Sequence, residues 1–318
     1  MLNTPGRSLF HIAQAARRAR SVKYDAPMAA IHSRFRITNG HRFRLKQISP
    51  GDTAGLDSKD ETADRLARGL ASLRDQQEKL YAQGTWALLV IIQAMDAAGK
   101  DSTIEHVMSG VNPQGCQVSS FKAPSSEELA HDFLWRTTTR LPRRGIIGVF
   151  NRSYYEEVLV VRVHPELLAK QRLPSPLVTT KIWRERFEDI NAFERHLRRS
   201  GVAILKFFLH VSKETQRKRF LERIDTPAKN WKFAIGDVAE RNHWREYMSA
   251  YEDMIRHTAT PDAPWWVVPA DHKWFTRLVV AEAIADAMKD LDLRFPAIDA
   301  AQRKELAAAK AALRREGA

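Results

Sequence analysis

Lys100 follows Gly99, and Asp96 stands just upstream, in the run Gln93-Ala94-Met95-Asp96-Ala97-Ala98-Gly99-Lys100-Asp101. Small residues at 97–99 let backbone N–H groups approach an anion. A helix opening near residue 100 adds its positive dipole end, and Lys100 supplies a mobile cation. The chemistry served is phosphate binding. The match to the general phosphate-loop pattern is incomplete, because Ala94 stands for the first glycine and Asp101 for the hydroxyl residue that would hold Mg2+. The plainer alternative is a strand–turn–helix with a surface lysine. Asp96 is the unusual member: an acid among donors meant for phosphate is unfavourable unless it binds a metal or steers an acceptor.

A second polar tip has the same form. Gly148-Val149-Phe150-Asn151-Arg152-Ser153-Tyr154-Tyr155 is an apolar run ending in an arginine-bearing turn. Ligands of open parallel sheets bind outside the carboxyl ends of the strands, which would set Asn151 and Arg152 beside Lys100. The competing reading is an arginine that caps its own strand. Residues 206–232 hold eight basic residues (Lys206, Lys213, Arg217, Lys218, Arg219, Arg223, Lys229 and Lys232) against Glu214, Glu222 and Asp225, a local charge of +5. Arg219 and Arg223 are four apart and share a helix face. Such a stripe suits a polyanionic chain, or a lid that closes over transferring phosphates. Many solvated helix faces carry similar charge with no ligand.

These groups need a frame. Five stretches read as buried strands: Trp86–Ile92, Gln117–Phe121, Ile146–Phe150, Ala203–Val211 and Trp265–Val268. Helical patterns near 100–110, 125–140, 178–200 and 212–256 lie between them. Strands alternating with helices imply right-handed crossovers and a three-layer α/β fold, with a five-stranded parallel sheet flanked by helices. The apolar run 87–92 fits a strand covered on both faces. Upstream, Leu66, Leu70, Leu73 and Leu80 form one stripe of a helix from about Glu61 to Tyr81, ended by Gln83-Gly84. Asn39-Gly40 predicts a short hairpin within 34–46, and 50–58 a loop. The stretch from Arg277 to about Arg315 reads as helix, broken near Arg294-Phe295-Pro296. The expected organisation is a basic leader at 1–33, a core at 34–292 with a lid at about 212–245, and a helical tail at 293–318.

The chain has 318 residues, 51 Lys+Arg against 38 Asp+Glu, and a net charge of +13. Ten basic residues and Asp25 alone among acids give the first fifty residues +9. That leader suits a solvated tail, a nucleic-acid arm or a transit segment, and Met28 offers a second start. Cys116 is the only cysteine, so no intrachain disulfide forms and a reducing, cytoplasmic setting is expected. The longest aliphatic run, 87–92, falls far short of the ~18–20 residues of a membrane helix. The histidines show no zinc-ligand spacing, and a zinc site is not expected.

The phosphate loop, the Phe150–Tyr155 run, and the segment from Leu221-Glu222-Arg223-Ile224-Asp225 to Asn230-Trp231-Lys232-Phe233 closely resemble the polyphosphate kinase 2 family, across roughly residues 34–292. The resemblance implies a P-loop kinase fold with a helical lid. It implies Mg2+, with Mn2+ as a substitute, and phosphoryl transfer between inorganic polyphosphate and AMP, ADP or ATP. Carried over by position, it implies that Ala97, Ala98, Gly99, Lys100 and Asp101 contact phosphate, and that Asp96 serves the metal and the accepting phosphate. It further implies that Arg152 neutralises phosphate charge, and that Arg217, Arg223 and Lys232 hold polyphosphate. Asn112 would lie near the nucleotide groove. Asn151 stands where many members carry Asp. With Tyr154-Tyr155-Glu156-Glu157, it resembles the branch that phosphorylates both AMP and ADP. Arginine is usual in the other branches where Glu157 stands here, so that arginine's phosphate contact does not carry over.

A homo-oligomer without nucleic-acid or membrane partners is the accompanying expectation. The rival readings are an ATP-dependent nucleoside monophosphate kinase on the same scaffold and a nucleic-acid-binding protein, for which no base-reading module is visible. Tyr154, Tyr155, Trp265 and Trp266 read as packing residues, Trp231 as a packing anchor for the lid, and Cys116 as a half-buried small residue.

Overall fold

The apolar run from 87 becomes the middle of a sheet because neither of its faces meets water. A computed structural model describes residues 30–316. Its elements are β1 (Arg36–Ile37), α1 (Lys59–Gln83), β2 (Ala87–Ala94), α2 (Lys100–Val107), β3 (Cys116–Ser120), α3 (Ser126–Ala130), α4 (Trp135–Thr138), β4 (Ile147–Asn151), α5 (Val160–Val163), α6 (Glu166–Ala169), α7 (Ile182–Arg199), β5 (Val202–His210), α8 (Lys213–Ile224), α9 (Ile235–Glu240), α10 (Trp244–Thr258), β6 (Trp265–Pro269), α11 (Lys273–Lys289) and α12 (Ala300–Glu316).

The sheet runs β1-β6-β5-β2-β4-β3. The five expected strands are all present and mutually parallel where they pair. The expected count of five is corrected to six, because β1 pairs antiparallel with β6 at the far edge, Arg36 opposite Trp266. Every residue of β2 and β5 is buried. The register sets Ile92 against Asn151 and Ala94 against Leu209, so the carboxyl ends of β2, β4 and β5 open on one edge. In a sheet of this kind that edge is where a ligand site forms.

Leu73 and Leu80 of α1 are buried, and α1 packs along α11, joined also by an Arg65–Glu282 ion pair. Helices α7 and α10 pack against each other, α7 also lying against β5. No helix among the described residues is long and apolar enough to cross a membrane.

The expected hairpin at 34–46 is absent. Arg36–Ile37 leaves to pair with β6, and Gly40 serves a close approach: a side chain there would collide with the backbone of Ile255 and Arg256 in α10. The helical pattern at 212–256 splits into α8, α9 and α10, with short 3-10 segments at Pro227–Lys232 and Arg241–His243 between them; Pro227 cannot supply a helical N–H donor. Residues 1–29, most of the expected basic leader, lie outside the described residues. Ile31–Phe35 is a single 3-10 turn with His32 and Phe35 buried.

Candidate active site

The loop after β2 has the backbone that a phosphate cradle requires. Ala97 (φ 59°) and Gly99 (φ 107°) both lie in the left-handed region. For Gly99 this is free of strain, whereas for Ala97 it costs on the order of 1 kcal/mol, and such strain concentrates at functional sites. Helix α2 begins at Lys100 with Gly99 as its cap and no side-chain capping bond. Lys100 is folded back: Nζ donates to the carbonyls of Ala94 (3.0 Å) and Met95 (3.3 Å) and lies 3.9 Å from Asp96 Oδ1. Burial lowers its pKa, with Asp96 acting in the opposite sense.

Strand β4 brings the second tip alongside. The Arg152 N–H donates to Ile92 O at 3.0 Å, and Arg152 itself is left-handed, φ 64°. Its Nη2 donates to Asp96 Oδ1 at 2.7 Å and its Nη1 to Glu156 Oε2 at 3.2 Å. Glu156 first, and then Asp96, raise the guanidinium's pKa against the effect of burial. One residue earlier, Asn151 Nδ2 donates to Asp101 Oδ1 at 2.7 Å. Two cross-links therefore tie the β4 tip to the phosphate loop and to the first turn of α2. Gln93 supports them when its amide nitrogen faces Glu156 Oε1 (2.8 Å) and its oxygen faces the Ser153 N–H and O–H (3.1 Å each).

Behind the tip lies a buried polar network. Tyr154 and Tyr155 donate their hydroxyls to Glu194 Oε1 at 2.8 and 2.7 Å. Lys206 Nζ donates to Glu194 Oε2 (2.6 Å), Tyr155 Oη (3.0 Å) and Thr258 O (2.8 Å). Both tyrosine side chains are buried, and Tyr154 also lines the cavity beside Arg152. Lys206, the first member of the basic segment in sequence, is an interior residue of β5 with no exposed side-chain surface.

The basic segment divides. Arg217 binds Glu214 in its own helix, Nη2–Oε1 2.7 Å, on the exposed side of α8. Arg219, one face around, is buried and donates to the carbonyls of Ala97 and Ala98 in the phosphate loop. Arg223 lies with its guanidinium over Phe220, 5.6 Å from the ring centre. Lys232 ends the turn Pro227–Lys232. Trp231 is 78% exposed, which corrects its expected role as a packing anchor.

Asp237 on α9 was not singled out from sequence. Its carboxyl pKa is raised by burial first and then by Asp96, while Arg223 and Arg152 act to lower it, which places it in the same electrostatic field. Asn112 is not brought together with Asp96, Lys100 and Arg152. Its side chain caps the turn before β3 by accepting from Gln114 N (3.0 Å), and its own N–H donates to Gln77 Oε1 of α1. Because β3 runs parallel to β4, a residue before Cys116 lies at the edge of the sheet opposite the loop.

A cavity of about 370 Å³ opens beside Arg152, lined among others by Lys122, Phe133, Arg136, Glu156, Glu157 and Val160. That volume falls within the range of small-molecule sites. Glu157 is pinned in its wall: Arg186 Nε donates to Oε1 (3.1 Å) and Gln171 Nε2 to Oε2 (2.7 Å). Burial raises the Glu157 pKa, opposed by Arg186. Arg186 in turn stacks over Phe133, 4.4 Å from the ring centre. Glu157 thus shapes the pocket, and no arginine takes that place.

Among the described residues no group of three or more His, Cys, Asp or Glu side chains is arranged to hold a metal by itself. Asp96 keeps 31% of its side chain exposed at the cleft. One or two carboxylates completed by phosphate oxygens and water are what Mg2+ commonly uses. The donor set fits a Mg2+ that arrives with phosphate.

Comparison with known proteins agrees with this geometry. The family model described as Polyphosphate kinase 2 matches residues 56–296. The ADP-polyphosphate phosphotransferase of Rhodopseudomonas palustris is 50% identical over 273 residues, covering 86% of this chain and 94% of that protein. The AMP/ADP-polyphosphate phosphotransferase of Meiothermus ruber is 43% identical over 272 residues, covering 85% and 98%. The crystal structure of Polyphosphate Kinase 2 from Arthrobacter aurescens TC1 superposes with a TM-score of 0.78 at 40% identity, covering 86% of this chain and 95% of that one.

Proposed function

The chain belongs to the polyphosphate kinase 2 family, and we propose that it transfers phosphoryl groups from inorganic polyphosphate to both AMP and ADP. The observation that carries this reading is the junction of Asp96 and Arg152 at the mouth of the nucleoside-sized cavity, 2.7 Å apart, with Lys100 behind them.

Phosphoryl transfer asks a protein for alignment and charge neutralisation more than for covalent chemistry. The cavity would seat the acceptor's nucleoside between Phe133 and Val160. Its terminal phosphate would then meet Arg152. Lys100 would leave the carbonyls of Ala94 and Met95 for the donor phosphate, a better partner for an ammonium. Arg223 and Lys232 would follow the polyphosphate chain from the segment 212–245, acting as a lid. Asp96, with Asp237 in the same electrostatic field, would hold Mg2+ together with phosphate oxygens, and the ion would neutralise charge there. Released from Arg152, Asp96 would orient the attacking oxygen of the acceptor.

The proposal includes a cytoplasmic setting and self-association. Phe295, Ile298, Leu306 and Leu313, all exposed near the C-terminus, supply apolar surface for the latter. The test supplies polyphosphate and Mg2+ with AMP or with ADP as the sole nucleotide. ADP should form from AMP, and ATP from ADP; product from one acceptor only would narrow the reading to that acceptor.

A further inference from the structure

Five successive carbonyls of the phosphate loop are each held by a side chain. Lys100 takes those of Ala94 and Met95. Gln216 Nε2 donates to Asp96 O at 2.8 Å. Arg219 Nη1 donates to Ala97 O at 3.1 Å and to Ala98 O at 2.8 Å. Gln216 and Arg219 are three residues apart and share one face of α8, some 120 residues from the loop in sequence.

Both side chains are buried, and both are braced from behind. Arg219 Nη2 donates to Ala270 O (2.7 Å) and Asp271 O (3.0 Å) at the tip of β6. Gln216 Oε1 accepts from Arg241 Nη1 at 2.6 Å. Among the described residues Arg219 has no ion-pair partner within 4 Å, so its guanidinium is spent on four backbone oxygens.

A trans peptide points its C=O and the next N–H in opposite directions. Drawing the oxygens of 96, 97 and 98 toward α8 therefore turns the N–H groups of 97, 98 and 99 away from it, that of Ala98 closing a turn on Met95 O at 3.3 Å. That arrangement leaves the N–H groups of Ala97 and Gly99 as donors of the kind that binds phosphate. The left-handed backbone of Ala97 and Gly99 is what the same orientation demands.

We infer that Gln216 and Arg219 are positioning residues, which fix the phosphate loop with its N–H groups facing the substrate by holding its carbonyls from α8. Neither residue touches substrate. This extends the reading under Proposed function and rests on it. It also ties the loop and the β6 tip to α8 as far as Arg219, so that closure of the lid that carries Arg223 hinges beyond Arg219.

The test compares Gln216→Met and Arg219→Lys with the unaltered full chain. Gln216→Met keeps the packing and removes the bond to Asp96 O together with the acceptor of Arg241 Nη1; Arg219→Lys keeps the charge and loses the fork. Calorimetric titration with inorganic tripolyphosphate should show affinity lowered about tenfold or more in each, the size of one or two hydrogen bonds to a charged group. KM for polyphosphate should rise several-fold more than KM for ADP, whose nucleoside is seated in the separate cavity. Amide resonances of residues 97–99, which tripolyphosphate shifts in the unaltered chain, should respond less in the variants.

Two outcomes would overturn the inference alone, given an unaltered chain that binds tripolyphosphate: folded variants that bind it equally well, or KM values for both substrates that rise together with a falling Tm. Should Arg219→Lys fail to fold, Gln216→Met decides. An unaltered chain that binds no tripolyphosphate overturns the functional reading as well.

Discussion

Arg152 Nη2 donates to Asp96 Oδ1 at 2.7 Å, joining the tip of β4 to the loop after β2 across 56 residues of sequence. In the proposed reaction the pair would hold a cation and an anion where phosphate charge must be both neutralised and aimed. Each group also has a local partner, Glu156 for Arg152 and Lys100 for Asp96, so that either can exchange its contact for substrate without being left unpaired.

Asp96→Asn keeps the size of the side chain and removes its charge. Turnover should fall by ~10²-fold or more, the loss expected when a positioning group is disabled. Steady-state rates with polyphosphate and ADP check this, and a rate near that of the unaltered enzyme would remove Asp96 from its assigned role.

Asn151→Asp replaces an amide donor with a carboxylate facing Asp101 Oδ1, at present 2.7 Å from the amide nitrogen. Like charges so close repel, and the first turn of α2 must shift. The ratio of AMP to ADP as acceptors should change; an unchanged ratio would dissociate Asn151 from acceptor choice.

Lys206 and Glu194 are an ion pair with 0% and 2% of their side chains exposed. Lys206→Met leaves a buried carboxylate with only tyrosine hydroxyls, and should destabilise by ~3–5 kcal/mol in urea unfolding. Adding Glu194→Leu should restore part of that loss. A single variant within about 1 kcal/mol of the unaltered chain would show that the pair does not support the fold.

His210 ends β5 with its Nδ1 unpartnered among the described residues, and burial lowers its pKa from 6.5 to about 4. Below pH 6.5 the unfolded chain takes up a proton that the folded one refuses until about pH 4. Stability is therefore lost as pH falls through that window, by about 3 kcal/mol in total. His210→Phe should flatten the dependence of the urea midpoint between pH 7 and pH 4.5. Parallel curves for variant and unaltered chain would contradict it.

Much of this architecture was legible because its signals are local. The apolar run 87–92 is short, rich in β-branched residues and bounded by glycine-bearing turns, which favours a buried strand, and Gly99-Lys100 following a strand matches a phosphate loop. Signals made by distant partners were not legible. Gly40 resembled a turn residue, although its small size serves the backbone of α10 two hundred residues on. Lys206 resembled part of a basic surface, because nothing near it in sequence reveals Glu194 and Thr258 as its partners. Spacing placed Arg219 and Arg223 on one face, but not the carbonyls that Arg219 holds. The position of Asn112 was not legible, because proximity in sequence to α2 says nothing about which edge of a parallel sheet a turn occupies.

The central claim is that inorganic polyphosphate is the phosphoryl donor. The direct measurement incubates the purified chain with ADP, Mg2+ and polyphosphate as the only phosphoryl donor, and follows ATP formation and polyphosphate consumption by 31P NMR, with ADP alone as the control for disproportionation. ATP appearing in step with loss of polyphosphate phosphate, and absent from the control, is the predicted result. No ATP above the control, together with ready phosphorylation of AMP by added ATP, would contradict the account and point to a nucleotide-dependent kinase instead.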